Sequence, residues 1–138
     1  IMRAGSGMVN AFLTFLPDAA VWHVSISRDE KTLQPNFHGS KIPEKIHQGF
    51  GPHRVCFVLD PMLATGGSAS LAIQKLKDAG AQKIVFIGIF GAPEGLARLE
   101  SGHSDVPVIL AVLDRELNDR GYILPGCGDA GDRQFPAF

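Results

Sequence analysis

VCFVLDPMLATGGS, residues 55–68, is the stretch whose reading decides the fold. Val55 to Leu59 is an unbroken apolar run, the pattern of a strand buried on both faces of a parallel sheet. Asp60 stands where that strand ends, and ligands of open α/β sheets gather at the carboxyl ends of strands. Gly66 and Gly67 permit a sharp turn and a close backbone approach to a ligand. Thr65 and Ser68 add hydroxyl groups. The helix that follows aims its free N–H groups and the positive end of its dipole at the loop. A serine before a helix is also an ordinary cap. It is the order of strand, carboxylate, glycine turn and helix that favours an anion site. An ATP-type phosphate loop requires a lysine before its Ser/Thr, which is missing here, and dinucleotide-type glycine spacing is also absent. A phosphate carrying a sugar fits better, with Asp60 on ribose hydroxyls and the loop on a 5′-phosphate.

The flanking sequence continues the same pattern. Residues 68–79 form a predicted helix with Leu71, Ile73 and Leu76 apolar and Gly80 as its stop. Lys83 to Phe90 predicts a second buried parallel strand. Pro93 suits the first turn of a short helix through Leu99, and Val106 to Leu113 reads as a further strand. On the N-terminal side, Met8, Val9, Phe12, Leu13 and Leu16 make a helical face that Pro17-Asp18 ends. Val21 to Ser27 alternates as a strand, with Val21, His23, Ser25 and Ser27 on one face and Trp22, Val24 and Ile26 on the other. From Arg28 to Arg54 the pattern dissolves, and so long an irregular stretch is usually functional or mobile. The turn-rich residues 114–138 predict a small separate lobe. The fold class is therefore α/β, a parallel sheet in one domain over 1–138 with a C-terminal hood at about 114–138.

At 138 residues, with 45% hydrophobic and 20% charged side chains, the chain has the make-up of a globular domain that buries a core without staples. A net charge of −1 gives no sign of nucleic acid or an anionic membrane as partner. No apolar stretch is long enough to span a bilayer and no signal peptide opens the chain. Two cysteines do not make a disulfide framework, and Cys56, within the apolar run, reads as core. A reducing cytoplasm is the expected compartment. Ile1-Met2-Arg3 reads as the tail of a strand, so an N-terminal part is expected to be missing. The histidines at 23, 38, 47, 53 and 103 lack metal-ligand spacing, and no nucleophile elbow appears. Glu94 is expected in the first turn of its helix, and Asp132 with Arg133 as a local structural pair.

Four segments occur in a fixed order: RAGSGM at 3–8, DPMLATGGS at 60–68, GAPEG at 91–95 and GYILPGCGDAGDR at 121–133. Together they resemble the uracil phosphoribosyltransferase branch of the type I phosphoribosyltransferases, over essentially the whole chain. The last segment is the most diagnostic, and Pro61 stands where purine enzymes usually carry a second acidic residue. HQGFGPH at 47–53 departs from the usual family text as a local insertion, and the tail QFPAF is also unusual.

The resemblance implies transfer of the phosphoribosyl group of 5-phospho-α-D-ribose 1-diphosphate (PRPP) to uracil, giving UMP and pyrophosphate. It implies a catalytic set of Arg3, Arg28, Asp60 and Asp129. PRPP would be bound by Arg3, Arg28, Asp60, Pro61, Met62, Leu63, Ala64, Thr65, Gly66, Gly67, Ser68 and Asp129. Uracil would be read by Ile123, Gly128, Asp129 and Ala130. Mg²⁺ would be held mainly through PRPP, with no dedicated protein ligand set. A homo-oligomer and a GTP effector are further implications, as is the absence of nucleic-acid and membrane partners. The alternatives are a nucleotide-sensing or RNA-binding regulator on the same fold, which requires a basic face that the charge balance does not provide, a purine enzyme, and an inactive paralogue fused to a uridine kinase.

Overall fold

The computed structural model describes residues 1–29, 32–46 and 54–136. The 47–53 insertion lies outside the described residues. The chain opens with helix α1 (Ser6–Phe15), followed by an antiparallel hairpin of β1 (Val24–Arg28) and β2 (Pro35–Ser40). Then come β3 (Cys56–Leu59), β4 (Met62–Leu63), α2 (Gly67–Asp78), β5 (Ile84–Gly91), α3 (Pro93–Gly102) and β6 (Val108–Leu113). A two-stranded hairpin, β7 (Glu116–Leu117) with β8 (Ile123–Leu124), and the short helix α4 (Ala130–Gln134) complete it.

The sheet is parallel, as the apolar runs predict. β5 is its centre, with β3 and β4 in succession along one side and β6 along the other. Val58, Phe86 and Val108 share one row of this register, and Phe86 is fully buried. Helix α2 covers that face with Ala69, Ala72, Ile73 and Leu76, all buried, and Leu99 of α3 completes the cluster. Gly80, at φ 95°, ends α2 by donating its N–H to the Lys77 carbonyl, the left-handed stop that glycine adopts without strain. The serine and aliphatic faces of β1 fall as the alternation predicts: Val24 and Ile26 are buried, Ser25 and Ser27 exposed.

The expectation of a strand buried on both faces is corrected. Phe57 and Val55 are exposed, as are Ile89 and Ile109 on the neighbouring strands. On that side α1 rests against the sheet through Phe12 and Phe57, whose rings are 5.0 Å apart, and α1 buries none of its own residues. An apolar run reports what a strand is made of, not what covers it. The stretch after Arg28, unpatterned in composition, contains the strand Pro35–Ser40, which forms a hairpin with β1. Its residues are largely exposed, so no alternation marks it, and pairing with β1 alone makes it a strand.

Candidate functional site

Between β3 and β4 the strand is interrupted at Asp60-Pro61. The Pro61 carbonyl accepts the N–H groups of both Ile89 (3.1 Å) and Phe90 (2.9 Å), a bulge at a residue that has no N–H to lose. Asp60 lies just before the bulge at the carboxyl end of β3, its N–H still donating to the Ile87 carbonyl at 3.2 Å. Its Oδ1 accepts the Met62 N–H at 3.1 Å. Burial pushes the Asp60 carboxyl up to about 6, against the opposing pull of the Met62 N–H. A carboxyl so raised at a strand end makes Asp60 a candidate site residue.

The turn that follows depends on two glycines. Gly66 has φ 73°, and a Cβ there would lie 2.9 Å from the Gly95 carbonyl oxygen. Gly95 in turn packs against the Ala64 carbonyl so closely that no side chain fits between them. No side chain caps α2, whose N-cap is Gly66, so the hydroxyl of Ser68 is not spent on that role. Gly67 donates its N–H to Thr65 Oγ1 at 3.5 Å, and the next N–H groups of the first turn are the helix-start donors that suit an anion.

These groups open onto a cavity of about 570 Å³. Its walls are residues 1–4, Ser25–Arg28 with His38, Asp60, Met62–Ala69, Gly121–Ile123 and Gly128–Asp132. Of the predicted residues, Arg3, Arg28, Asp60, Met62, Leu63, Ala64, Thr65, Gly66, Gly67, Ser68, Ile123, Gly128, Asp129 and Ala130 all line it. Pro61 does not, because its ring and carbonyl belong to the bulge. A second cavity of about 410 Å³, between α1 and β3, is lined chiefly by apolar side chains and is less suited to a phosphorylated sugar.

The two arginines are already engaged. Arg28 donates through Nη1 to the Gly121 carbonyl at 2.7 Å and lies over the Tyr122 ring, 5.2 Å from its centre. It thereby joins the β1–β2 hairpin to the C-terminal segment. Gly121 has φ 70°, and a Cβ there would come 2.9 Å from that same Nη1. Gly121→Ala is expected to cost about 1–2 kcal/mol, the strain of a side chain in the left-handed region, and to detach Arg28. Urea unfolding midpoints check the first effect and PRPP calorimetry the second.

Arg3 donates to the Phe135 carbonyl at 2.8 Å and pairs with Asp132. The expected Asp132–Arg133 pair is thus corrected: Asp132 reaches back to Arg3, 129 residues away, because α4 packs beside the N-terminal loop. That ion pair is exposed and therefore weak. Asp129 caps α4, its Oδ1 accepting the Asp132 N–H at 2.9 Å. Glu94 sits in the first turn of α3 as predicted, and its carboxylate also accepts the Leu117 N–H at 2.9 Å, tying α3 to β7.

Sequence reasoning missed His38, Ser25, Ser27 and Tyr122 as cavity residues. The serines carried a signal, their shared exposed face. His38 carried none, because β2 could not be read from its pattern.

A parallel sheet with a carboxylate at a strand end and a glycine turn leading into a helix defines an α/β protein with an anion-type site at the carboxyl edge of its sheet. The family follows from comparison. A model of the family "Uracil phosphoribosyltransferase" matches residues 1–137, and the chain belongs to that family. It is 52% identical over 135 residues to the uracil phosphoribosyltransferase of Roseiflexus castenholzii and 53% identical to that of Salinibacter ruber. Each match covers 98% of this chain and 62% of the relative, so the chain spans about three fifths of those relatives' length. A solved structure of an Aquifex aeolicus protein superposes with a TM-score of 0.90 at 35% identity, covering 99% of this chain and 62% of that one. A purine phosphoribosyltransferase from Pyrococcus horikoshii shares the fold, at a TM-score of 0.53, 18% identity, and coverage of 86% and 73%.

Proposed function

We propose that the protein transfers the phosphoribosyl group of PRPP to uracil, forming UMP and releasing pyrophosphate. The observation that carries this reading is one cavity lined by two unlike sets of residues: Asp60 with the 62–69 loop, and Ile123 with the 128–130 backbone. The loop amides and the α2 N-terminus suit the 5′-phosphate, and the Asp60 carboxylate suits the ribose hydroxyls. Uracil is flat and uncharged, so a few fixed backbone groups at 128–130 beside Ile123 suffice to orient it.

Uracil N1 attacks the anomeric carbon as the bond from that carbon to the diphosphate oxygen breaks. N1 gives up its proton late, so no strong general base is required. Negative charge grows on the departing diphosphate, and Arg3 and Arg28 are the cations suited to it. The weak Arg3–Asp132 pair is one that an incoming diphosphate would outcompete. Among the described residues no cluster of three metal-ligating side chains occurs. Mg²⁺ would be carried on PRPP oxygens, with Asp60, Asp129 and Asp132 as the carboxylates that line the cavity. The ion supplies charge neutralisation of the diphosphate when bound. Family membership also supports a homo-oligomer, a GTP effector and a cytoplasmic location, as well as one domain with a C-terminal hood. No helix among the described residues is long and apolar enough to cross a membrane.

Incubation with PRPP, Mg²⁺ and labelled uracil is expected to yield UMP. Product from hypoxanthine or guanine, with none from uracil, would overturn the base assignment.

A further inference from the structure

The β1–β2 hairpin contains one irregularity, and it lies on the cavity wall. Ser25 pairs with Gly39 and Ile26 pairs with Phe37, so His38 is an extra residue with no partner across the ladder. Gly39 beside it has φ 151°, a backbone angle that side-chain-bearing residues rarely adopt, although a Cβ there would meet nothing within 4 Å. The glycine is thus needed for the bend and not for space. A bulge of this kind re-aims a side chain. Here it brings His38 Nε2 to 2.7 Å from Ser27 Oγ, and both residues line the cavity. With Nε2 fixed by the serine, Nδ1 is left as the ring's remaining polar atom.

The wall they occupy adjoins a particular part of the site. Ser25 bridges to Met2, which precedes Arg3, and Ser27, which holds His38, precedes Arg28. From this we infer that His38, held by Ser27, contacts the diphosphate of the donor, as a third group alongside Arg3 and Arg28. The ligand class is a 1-diphosphate of a phosphorylated sugar, and the inference rests on the function proposed above. A diphosphate carries enough charge and acceptor oxygens to use a third donor, and an imidazole oriented through its other nitrogen is suited to supply one.

Calorimetry on wild type, His38→Ala and Ser27→Ala, with PRPP and with UMP as ligands, tests it. UMP fills the phosphate loop and the base side but carries no diphosphate. His38→Ala is expected to bind PRPP roughly tenfold more weakly and UMP as wild type does. Ser27→Ala is expected to show a smaller loss of the same selectivity. PRPP affinity within twofold of wild type in His38→Ala would overturn the assignment. Equal losses for PRPP and UMP would also overturn it, since they indicate a wall residue without a diphosphate contact. If wild type itself binds neither ligand, it is the phosphoribosyltransferase reading that fails.

Discussion

Asp60→Asn is expected to make the protein more stable at pH 8 while removing most of its affinity for PRPP. The Asp60 carboxyl titrates at about 6 in the folded protein against an ordinary value of 3.8, chiefly because it is buried. A raised carboxyl means that folding favours the protonated form. The stability it permits is complete below about pH 4, declines as pH rises, and is gone once pH passes 6. Above that point the charge costs the fold on the order of 3 kcal/mol. Asparagine is isosteric, keeps the oxygen that accepts the Met62 N–H, and carries no charge to bury.

The stability gain should therefore appear in urea unfolding at pH 8 and vanish near pH 4. PRPP affinity should fall by roughly two orders of magnitude, the loss of a charge-assisted hydrogen bond worth up to about 3 kcal/mol. No gain at pH 8 would mean that the carboxylate is not held at a cost.

The same variant uncovers a second titration. His103 is buried, with Nε2 2.9 Å from Ser70 Oγ and Nδ1 without a hydrogen-bond partner. Burial, then the charge of Lys77, hold its pKa below the ordinary 6.5. A lowered histidine supports folding above its ordinary pKa and withdraws that support as pH falls. In wild type this acid loss and the Asp60 gain run in opposite directions. In Asp60→Asn only the loss remains, so its stability should fall more steeply below pH 6.5 than that of wild type.

Gly95→Ala should be severely damaging despite adding a residue that favours helices. Ordinarily, alanine for glycine inside a helix gains up to about 1 kcal/mol. At position 95 the new Cβ would press on the Ala64 carbonyl and lie 2.9 Å from the Leu63 carbonyl. Both atoms are backbone, so no side-chain rotation relieves the contact. Either α3 withdraws from the sheet or the 62–67 loop shifts, and overpacking of this sort costs about 1–3 kcal/mol. The shift falls on Gly66, whose left-handed turn rests on Gly95, so the phosphate site is lost along with stability. Gly102→Ala in the same helix is the control, since nothing lies within 4 Å of its Cβ position. That variant should be neutral or slightly stabilised. If both variants unfold at the same urea concentration and bind PRPP alike, α3 does not hold the loop.

Where the sequence could be read, the signal was local. The β3–loop–α2–β5 unit, Cys56 to Gly91, announces itself because apolar runs, a carboxylate and glycines at fixed spacing encode strand, turn and helix within one short segment. The ends shifted by a residue or two and the identities held. Asp60, Gly66 and Gly67 were legible for the same reason: the chemistry and the backbone angle they provide are properties of the residues themselves. Arg3, Arg28 and Asp129 were legible only through family resemblance, because an arginine or aspartate in a loop looks like any solvated one.

The sequence by itself determined a parallel α/β unit with a carboxylate and a glycine turn at a strand end, since neighbouring residues dictate those hydrogen bonds and turns. Only the tertiary structure decided which residues share a cavity with that loop. Arg28 reaches Gly121 across 93 residues and Arg3 reaches Asp132 across 129. A one-residue bulge aims His38 into the same cavity, and the far face of the sheet is left largely open. Each of these depends on which elements bury against one another, and no local pattern in the chain records that.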